Sequence, residues 1–204
     1  MPGSISAFPL DVTNPESVAS VQGSILSTFG SIDVAVLNAG THKPTPANAF
    51  NRADFDELFQ LNVMGCVNML ETLLPTLLGQ RSGRVAIVAS LAGYRGLPTA
   101  AAYGASKAAL INLCEALRIE LEGSGVIVQL INPGFVKTPL TDKNPFEMPS
   151  LISAETAAQK IADGLARDRF EVRFPPLFAG IMSVLRHLPF SLYSYLIRKQ
   201  TQRG

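Results

Sequence analysis

Three nearly continuous apolar runs, at residues 32–37, 84–88 and 126–131, are separated by stretches long enough for helices, and this spacing most constrains the fold. A strand that is apolar at almost every position is covered on both faces, as happens in a parallel sheet whose crossovers lay helices on each side. Residues 16–29 read as a helix, with Asn14 or Thr13 as its cap, Pro15 in its first turn and Gly30 as its stop. A polar, proline-containing loop at 41–51 leads into a long helical pattern over 53–78. Further helical patterns cover 105–122, opened by Tyr103, and 154–168, and a short last strand is expected at 170–174. Strands alternating with helices in this way predict a doubly wound α/β fold, a three-layer α/β/α sandwich with right-handed crossovers. Residues 1–174 form one Rossmann-like unit, and 175–204 read as an apolar helical extension of it.

The chemistry is concentrated where these patterns end. In such sheets ligands bind beyond the carboxyl ends of the strands, and Asn38, Ser90 and Pro133 each follow a strand's last apolar residue. Tyr103 and Lys107, in Ala-Ala-Tyr-Gly-Ala-Ser-Lys, are four apart and share a helix face, so the ammonium is expected to stand beside the phenol and lower its pKa. A free tyrosine titrates near ~10, and a lowered value suits general acid–base work. Ser90 offers a hydroxyl to a reacting carbonyl oxygen. The trio points to carbonyl and alcohol chemistry.

Composition excludes several alternatives. The net charge of +1 offers no electrostatic case for nucleic acid. Cys66 and Cys114 have no metal or redox spacing, and His42 and His187 stand apart, so no metal site is expected. The start of the chain has no charged-then-apolar leader pattern, and unpaired thiols fit a cytoplasmic setting.

Five motifs stand in the order and spacing of one family: Leu10-Asp11-Val12, Asn38-Ala39-Gly40, Leu61-Asn62-Val63, Ser90 with Tyr103 and Lys107, and Asn132-Pro133-Gly134 followed by Thr138. The chain resembles the short-chain dehydrogenase/reductase family from about residue 8 to about residue 141. The resemblance implies an NAD(P)-dependent oxidoreductase that interconverts a ketone and a secondary alcohol, with Asn62, Ser90, Tyr103 and Lys107 as catalytic residues. Tyr103 exchanges the proton, Ser90 holds the oxygen, Lys107 serves both the tyrosine and the nicotinamide ribose, and Asn62 orders a proton path; a polar side chain packed in a helix bend is the alternative for Asn62. The cofactor is NAD or NADP, met by Asp11, Val12, Asn38, Ala39, Gly40 and Lys107 and, around the nicotinamide, by Pro133, Gly134 and Thr138. Taken alone, Asp11 equally suits an Asx turn, Asn38-Ala39-Gly40 a plain strand-to-loop turn, and Thr138 a turn before Pro139. The family also implies a small-molecule substrate and a homo-oligomer.

The chain departs from the family at both ends. The glycine-rich turn Gly-x-x-x-Gly-x-Gly, which cradles a pyrophosphate, is not in the sequence. The first βαβ unit that would carry it is missing, so the chain looks shortened at its front, residues 7–12 are left without a sheet neighbour, and an edge of the 32–37 strand is uncovered. A non-catalytic relative acting as an interaction subunit is therefore the competing reading. At the other end, residues 175–197 are rich in Leu, Ile, Phe and Tyr, are broken at Arg186, His187 and Pro189, and precede Arg198, Lys199 and Arg203. No apolar run there is long enough to span a bilayer. Two amphipathic helices capping the cleft of an apolar substrate, or lying at a subunit interface, are expected in preference to a peripheral membrane contact.

Overall fold

The computed structural model describes residues 4–139, 141 and 148–201; Met1, Pro2, Gly3 and Arg203 lie outside them. A four-stranded parallel sheet runs in the order β1 (Val34–Leu37), β2 (Gly83–Val88), β3 (Val126–Pro133), β4 (Glu171–Phe174). Val34 lies level with Arg84, Arg84 with Ile127, and Leu130 with Glu171, so the carboxyl ends gather on one rim. The helices are α1 (Pro15–Phe29), α2 (Arg52–Phe59), α3 (Gly65–Gln80), α4 (Ala101–Glu120), α5 (Ala154–Leu165), α6 (Pro176–Leu185) and α7 (Phe190–Thr201), with a π-helical turn, Gln60–Met64, joining α2 to α3.

The period-2 alternation of the strands divides the core in two. On one face Val85, Ile87, Val128 and Leu130 meet Leu70, Leu73 and Leu77 of α3 and Leu110 and Cys114 of α4. On the other, Ala86, Ile131 and Phe174 meet Ala157, Ile161 and Leu165 of α5. The path from β2 to β3 and that from β3 to β4 step the same way across the sheet, yet α4 and α5 lie on opposite faces. The two crossovers therefore have opposite hands, against the expectation of right-handed connections throughout. The α2–α3 rod, Arg52–Gln80, is long and apolar enough to cross a membrane, but Leu58, Leu70, Leu73 and Leu77 are buried in the core.

Asn14, not Thr13, caps α1, its Oδ1 accepting from the Glu16 and Ser17 N–H groups. Gln22 then straps α1 to α3, its Nε2 donating to the Thr72 carbonyl at 2.8 Å and the Thr76 hydroxyl at 2.9 Å. Residues 7–12 form no strand and instead rest against α3, where Asn68 Nδ2 donates to the Val12 carbonyl at 2.9 Å. The expectation that the 32–37 run is covered on both faces holds only for one. Leu37 and Ala35 pack under α3, whereas Val34 and Val36 are 50% and 43% exposed. They share the α5 face of the sheet, and α5 reaches only the strands beyond β1.

Candidate active site

Helix α4 begins earlier than its sequence pattern suggests, at Ala101, because a remote loop completes its first turn. The Thr45 hydroxyl accepts the Ala102 N–H at 3.1 Å, and Thr45 N–H donates to the Thr99 carbonyl at 2.7 Å. This satisfies a backbone donor that the first helical turn cannot satisfy internally. Tyr103 and Lys107 follow on the inward face. Ser90, at the end of β2, opens a short 3₁₀ turn, Leu91–Gly93, and its hydroxyl accepts the Ala92 N–H at 3.1 Å and faces the Pro133 carbonyl at 3.4 Å. That turn lies directly on α4, since a Cβ on Gly93 would come within 2.8 Å of the Lys107 carbonyl carbon. Glycine here sets the spacing between the serine turn and the tyrosine–lysine helix.

The electrostatics differ from the sequence expectation. Burial raises the Tyr103 phenol above its ordinary value, and the neighbouring Ser90 hydroxyl offsets only part of that. Lys107 stands 5.8 Å from the centre of the Tyr103 ring and donates to the Val88 carbonyl at 2.8 Å. Its ammonium, nearly enclosed, is itself pushed down to about 8 by burial. Lowering of the tyrosine by the lysine is thus not what the structure shows. Desolvation moves both groups toward their neutral forms. A phenol kept protonated at neutral pH suits proton donation to a carbonyl oxygen.

Asn62 lies in the π-helical turn and is almost completely buried. Its Oδ1 accepts the Thr41 N–H at 2.7 Å, and its Nδ2 donates to the Thr41 carbonyl and the Ser106 hydroxyl, both at 3.0 Å. Such turns widen a helix by one residue and often occur at functional sites. Here the turn fastens the loop after β1 to the helix bearing Tyr103. A Cβ on Gly40 would sit 3.1 Å from Asn62 Oδ1 and 3.5 Å from Lys107 Nζ, so the missing side chain leaves room beside the ammonium. An ammonium has three donors, and Val88 takes one. The donors that remain, next to open backbone, fit a vicinal diol such as the ribose of a nicotinamide cofactor.

Of the other predicted positions, only Asn38, Ala39 and Gly40, with Pro133 and Gly134, stand at the strand ends. Asn38, Ala39 and Gly40 are exposed just beyond β1. Gly134 N–H donates to the Phe174 carbonyl at 2.7 Å, which ties the loop after Pro133 to β4. Asp11 makes the Asx turn that was its alternative reading, its Oδ1 accepting from the Thr13 N–H at 2.9 Å and hydroxyl at 2.7 Å. Those bonds lower its pKa. Val12 packs on Gly65 of α3. Thr138 is also in a turn, its N–H donating to the Thr141 hydroxyl at 3.0 Å and its carbonyl accepting from that hydroxyl at 2.9 Å.

Three contacts had no sequence signal. The His42 ring meets Tyr103 edge-on, with centroids 4.7 Å apart and planes at 74°. Thr45 completes α4, as above. Tyr94 donates to Glu171 of β4, which also accepts from Asn132 Nδ2 at 2.6 Å, locking the loop after Ser90 to the far strands. Each pairs residues far apart in sequence, beyond the reach of a local pattern.

The chain resembles known proteins. A family model described as short chain dehydrogenase matches residues 2–148. A Myxococcus xanthus protein named as an uncharacterized oxidoreductase is 35% identical over 195 residues, covering 96% of this chain and 77% of its own length. A short chain dehydrogenase from Burkholderia cenocepacia J2315, solved in complex with NADP, has a TM-score of 0.80 at 26% identity, over 92% of this chain and 76% of that one. Another, from Burkholderia phymatum with NAD, has a TM-score of 0.77 at 25% identity, over 85% and 72%. With a parallel sheet, flanking helices and these relatives, the chain belongs to the short-chain dehydrogenase family and is an NAD(P)-dependent oxidoreductase.

Proposed function

We propose that Tyr103 exchanges a proton with the oxygen of a ketone or secondary alcohol held by the Ser90 hydroxyl, with Lys107 and Asn62 organising the site behind them. The nicotinamide, when bound, supplies or accepts the hydride. In this reading Lys107 binds the ribose diol, while Asn38, Ala39 and Gly40 with Asp11 and Val12 line the adenosine side, and Pro133, Gly134 and Thr138 border the nicotinamide. Asn62 holds the loop after β1 against Ser106 and keeps Gly40 beside the lysine.

The observation that carries this is the meeting of Ser90, Tyr103 and Lys107 at one rim, the phenol beside the serine hydroxyl and the amine 5.8 Å from the ring. The raised phenol favours the reductive direction near neutral pH, where Tyr103 donates. An apolar ketone fits the surroundings, since the Phe135 and Phe178 rings meet at 5.5 Å beside Gly134. The protein also pairs with copies of itself through α2–α3 and α4; a monomer by light scattering removes that part. Tyr103→Phe keeps the ring and deletes the proton. Turnover of a panel of apolar ketones falls about 10²–10⁴-fold while cofactor fluorescence titrations are unchanged, and unaltered turnover ends the assignment.

A further inference from the structure

Helix α6 faces two ways. Ala179 and Met182 point inward and pack with Leu91 against Tyr94 and Leu97 of the loop after Ser90. Leu177, Ile181 and Val184, at i, i+4 and i+7, form the outward stripe and are 72%, 48% and 64% exposed. With Pro176, Gly180 and Leu185 they line an entirely apolar groove of about 470 Å³. Helix α7 repeats the pattern, with Tyr193 buried and Phe190, Leu192, Tyr195 and Leu196 exposed. Arg95 fixes the corner between the two helices, donating to the carbonyls of Leu185, Arg186 and Leu188 and lying over the Tyr193 ring at 4.3 Å. The exposed stripes therefore belong to a held surface.

A second concavity, of about 580 Å³, shares Pro176 and Gly180 with that groove and lies away from Tyr103. Lys160, Arg167, Arg169 and Arg173 line it, together with Asp163 and Glu171. Both acids are engaged, Asp163 by Gln159 at 2.8 Å and Glu171 by Tyr94, Asn132 and Arg173, the last at 3.8 Å, which leaves Lys160, Arg167 and Arg169 as the cleft's main cations. Glu171 is also the last acidic residue of the chain; beyond it come Arg173, Arg186, Arg198, Lys199 and Arg203. An apolar stripe thus borders a cleft in which four cations outnumber two acids, and the chain beyond it is basic.

We propose that α6 and α7 dock the protein on a bilayer containing anionic phospholipid, the exposed stripes entering the acyl boundary and the cleft cations meeting headgroup phosphates. The ten residues of α6 are too short to span a hydrocarbon core of about 30 Å, so the helix lies along the surface. A second copy of this chain fits poorly. A twofold interface brings each patch against itself, and here the four cations outnumber the two acids, both of which are already held within the subunit. The inward half of α6 packs on the serine loop, so the docked surface adjoins the reaction site without using its residues.

Co-sedimentation of the full chain tests this, with phosphatidylcholine vesicles and with vesicles in which about a third of the lipid is phosphatidylserine. The protein pellets with the second and remains in the supernatant with the first. Leu177→Asp with Val184→Asp, both at exposed positions, abolishes pelleting while circular dichroism is unchanged. Arg169→Gln weakens it about fivefold, the effect of one charge near an anionic surface, and added salt reproduces that loss. Absence of pelleting with either vesicle overturns the proposal, as does pelleting that survives the two aspartates. Self-association without vesicles that those aspartates abolish assigns the face to a second copy instead.

Discussion

The middle of the sheet and its β1 edge are built from the same kinds of residue, Val, Ala, Ile and Leu, yet their environments are opposite. Val85, Ile87, Val128 and Ile131 are fully enclosed, whereas Val34 and Val36 are about half exposed. Hydrophobicity of a strand therefore does not decide its burial; coverage by a helix on each face does. The difference runs into the site. Ser90 and Pro133 hang from the enclosed strands, and the Lys107 amine of α4 is braced on the Val88 carbonyl. Asn38, Ala39 and Gly40 extend from the uncovered strand, and Asn62 fastens the loop beyond them to α4 through Ser106. In the proposed reading, the half of the site that meets the carbonyl is thus set on a rigid base, and the half that meets the adenosine on a weaker one.

The largest effect is expected in the enclosed half. Ile131→Ala removes a side chain with no exposure from the face covered by α5, and costs about 2–5 kcal/mol in urea unfolding. A loss below about 1 kcal/mol would show the middle of the sheet to be as loosely held as its edge. Gly93→Ala comes next, at about 1–3 kcal/mol, because its Cβ would meet the α4 backbone at Lys107 and Ala108 as well as the Ile111 side chain. The same substitution pushes the Ser90 turn away from Tyr103. Turnover should then fall further than stability predicts, and equal losses in both would mean the turn's position does not matter to the chemistry.

Much of this division was readable beforehand. The strand cores, the Tyr103–Lys107 pairing and the rim holding Ser90 and Pro133 all follow from periodicity and four-residue spacing, which are local, whereas the cap of α1 was narrowed only to Asn14 or Thr13. The exposed edge of β1 also followed, once residues 7–12 were read without a sheet partner. What could not be read depends on contacts across the chain. The reach of α5 leaves Val34 and Val36 open, the Thr45 hydroxyl lengthens α4, and His42 lies on Tyr103. Burial of the phenol reverses the pKa direction that helix spacing alone suggested. The opposite hand of the last crossover is likewise a property of packing, not of pattern.

Lys107 gives a smaller effect with a definite sign. Its amine titrates at about 8 in the folded protein against 10.5 when free, so between those values the unfolded chain binds more protons and stability rises with pH. Burial raises Cys66, to about 12, and Cys114, so these thiols act oppositely as pH passes their free value of 9.0. Subtracting the stability of Lys107→Met isolates the lysine. From pH 7.5 to 9.5 the wild type should gain about 2 kcal/mol relative to that variant. A flat difference would place the amine in water instead of against Val88.

The smallest effect belongs to the edge, and isosteric substitution is its cleanest probe. Val→Thr keeps the shape and adds a hydroxyl, so its cost reports solvent access more than packing. At Val128, with no exposure, the hydroxyl has to be buried and the loss is about 1–3 kcal/mol. At Val36 the hydroxyl reaches water and the change stays within about 0.5 kcal/mol. If Val36→Thr instead costs as much as Val128→Thr in urea unfolding, the α5 face of β1 is covered in solution. The proposed adenosine side of the site would then rest on a strand as well supported as those that carry Ser90 and Pro133.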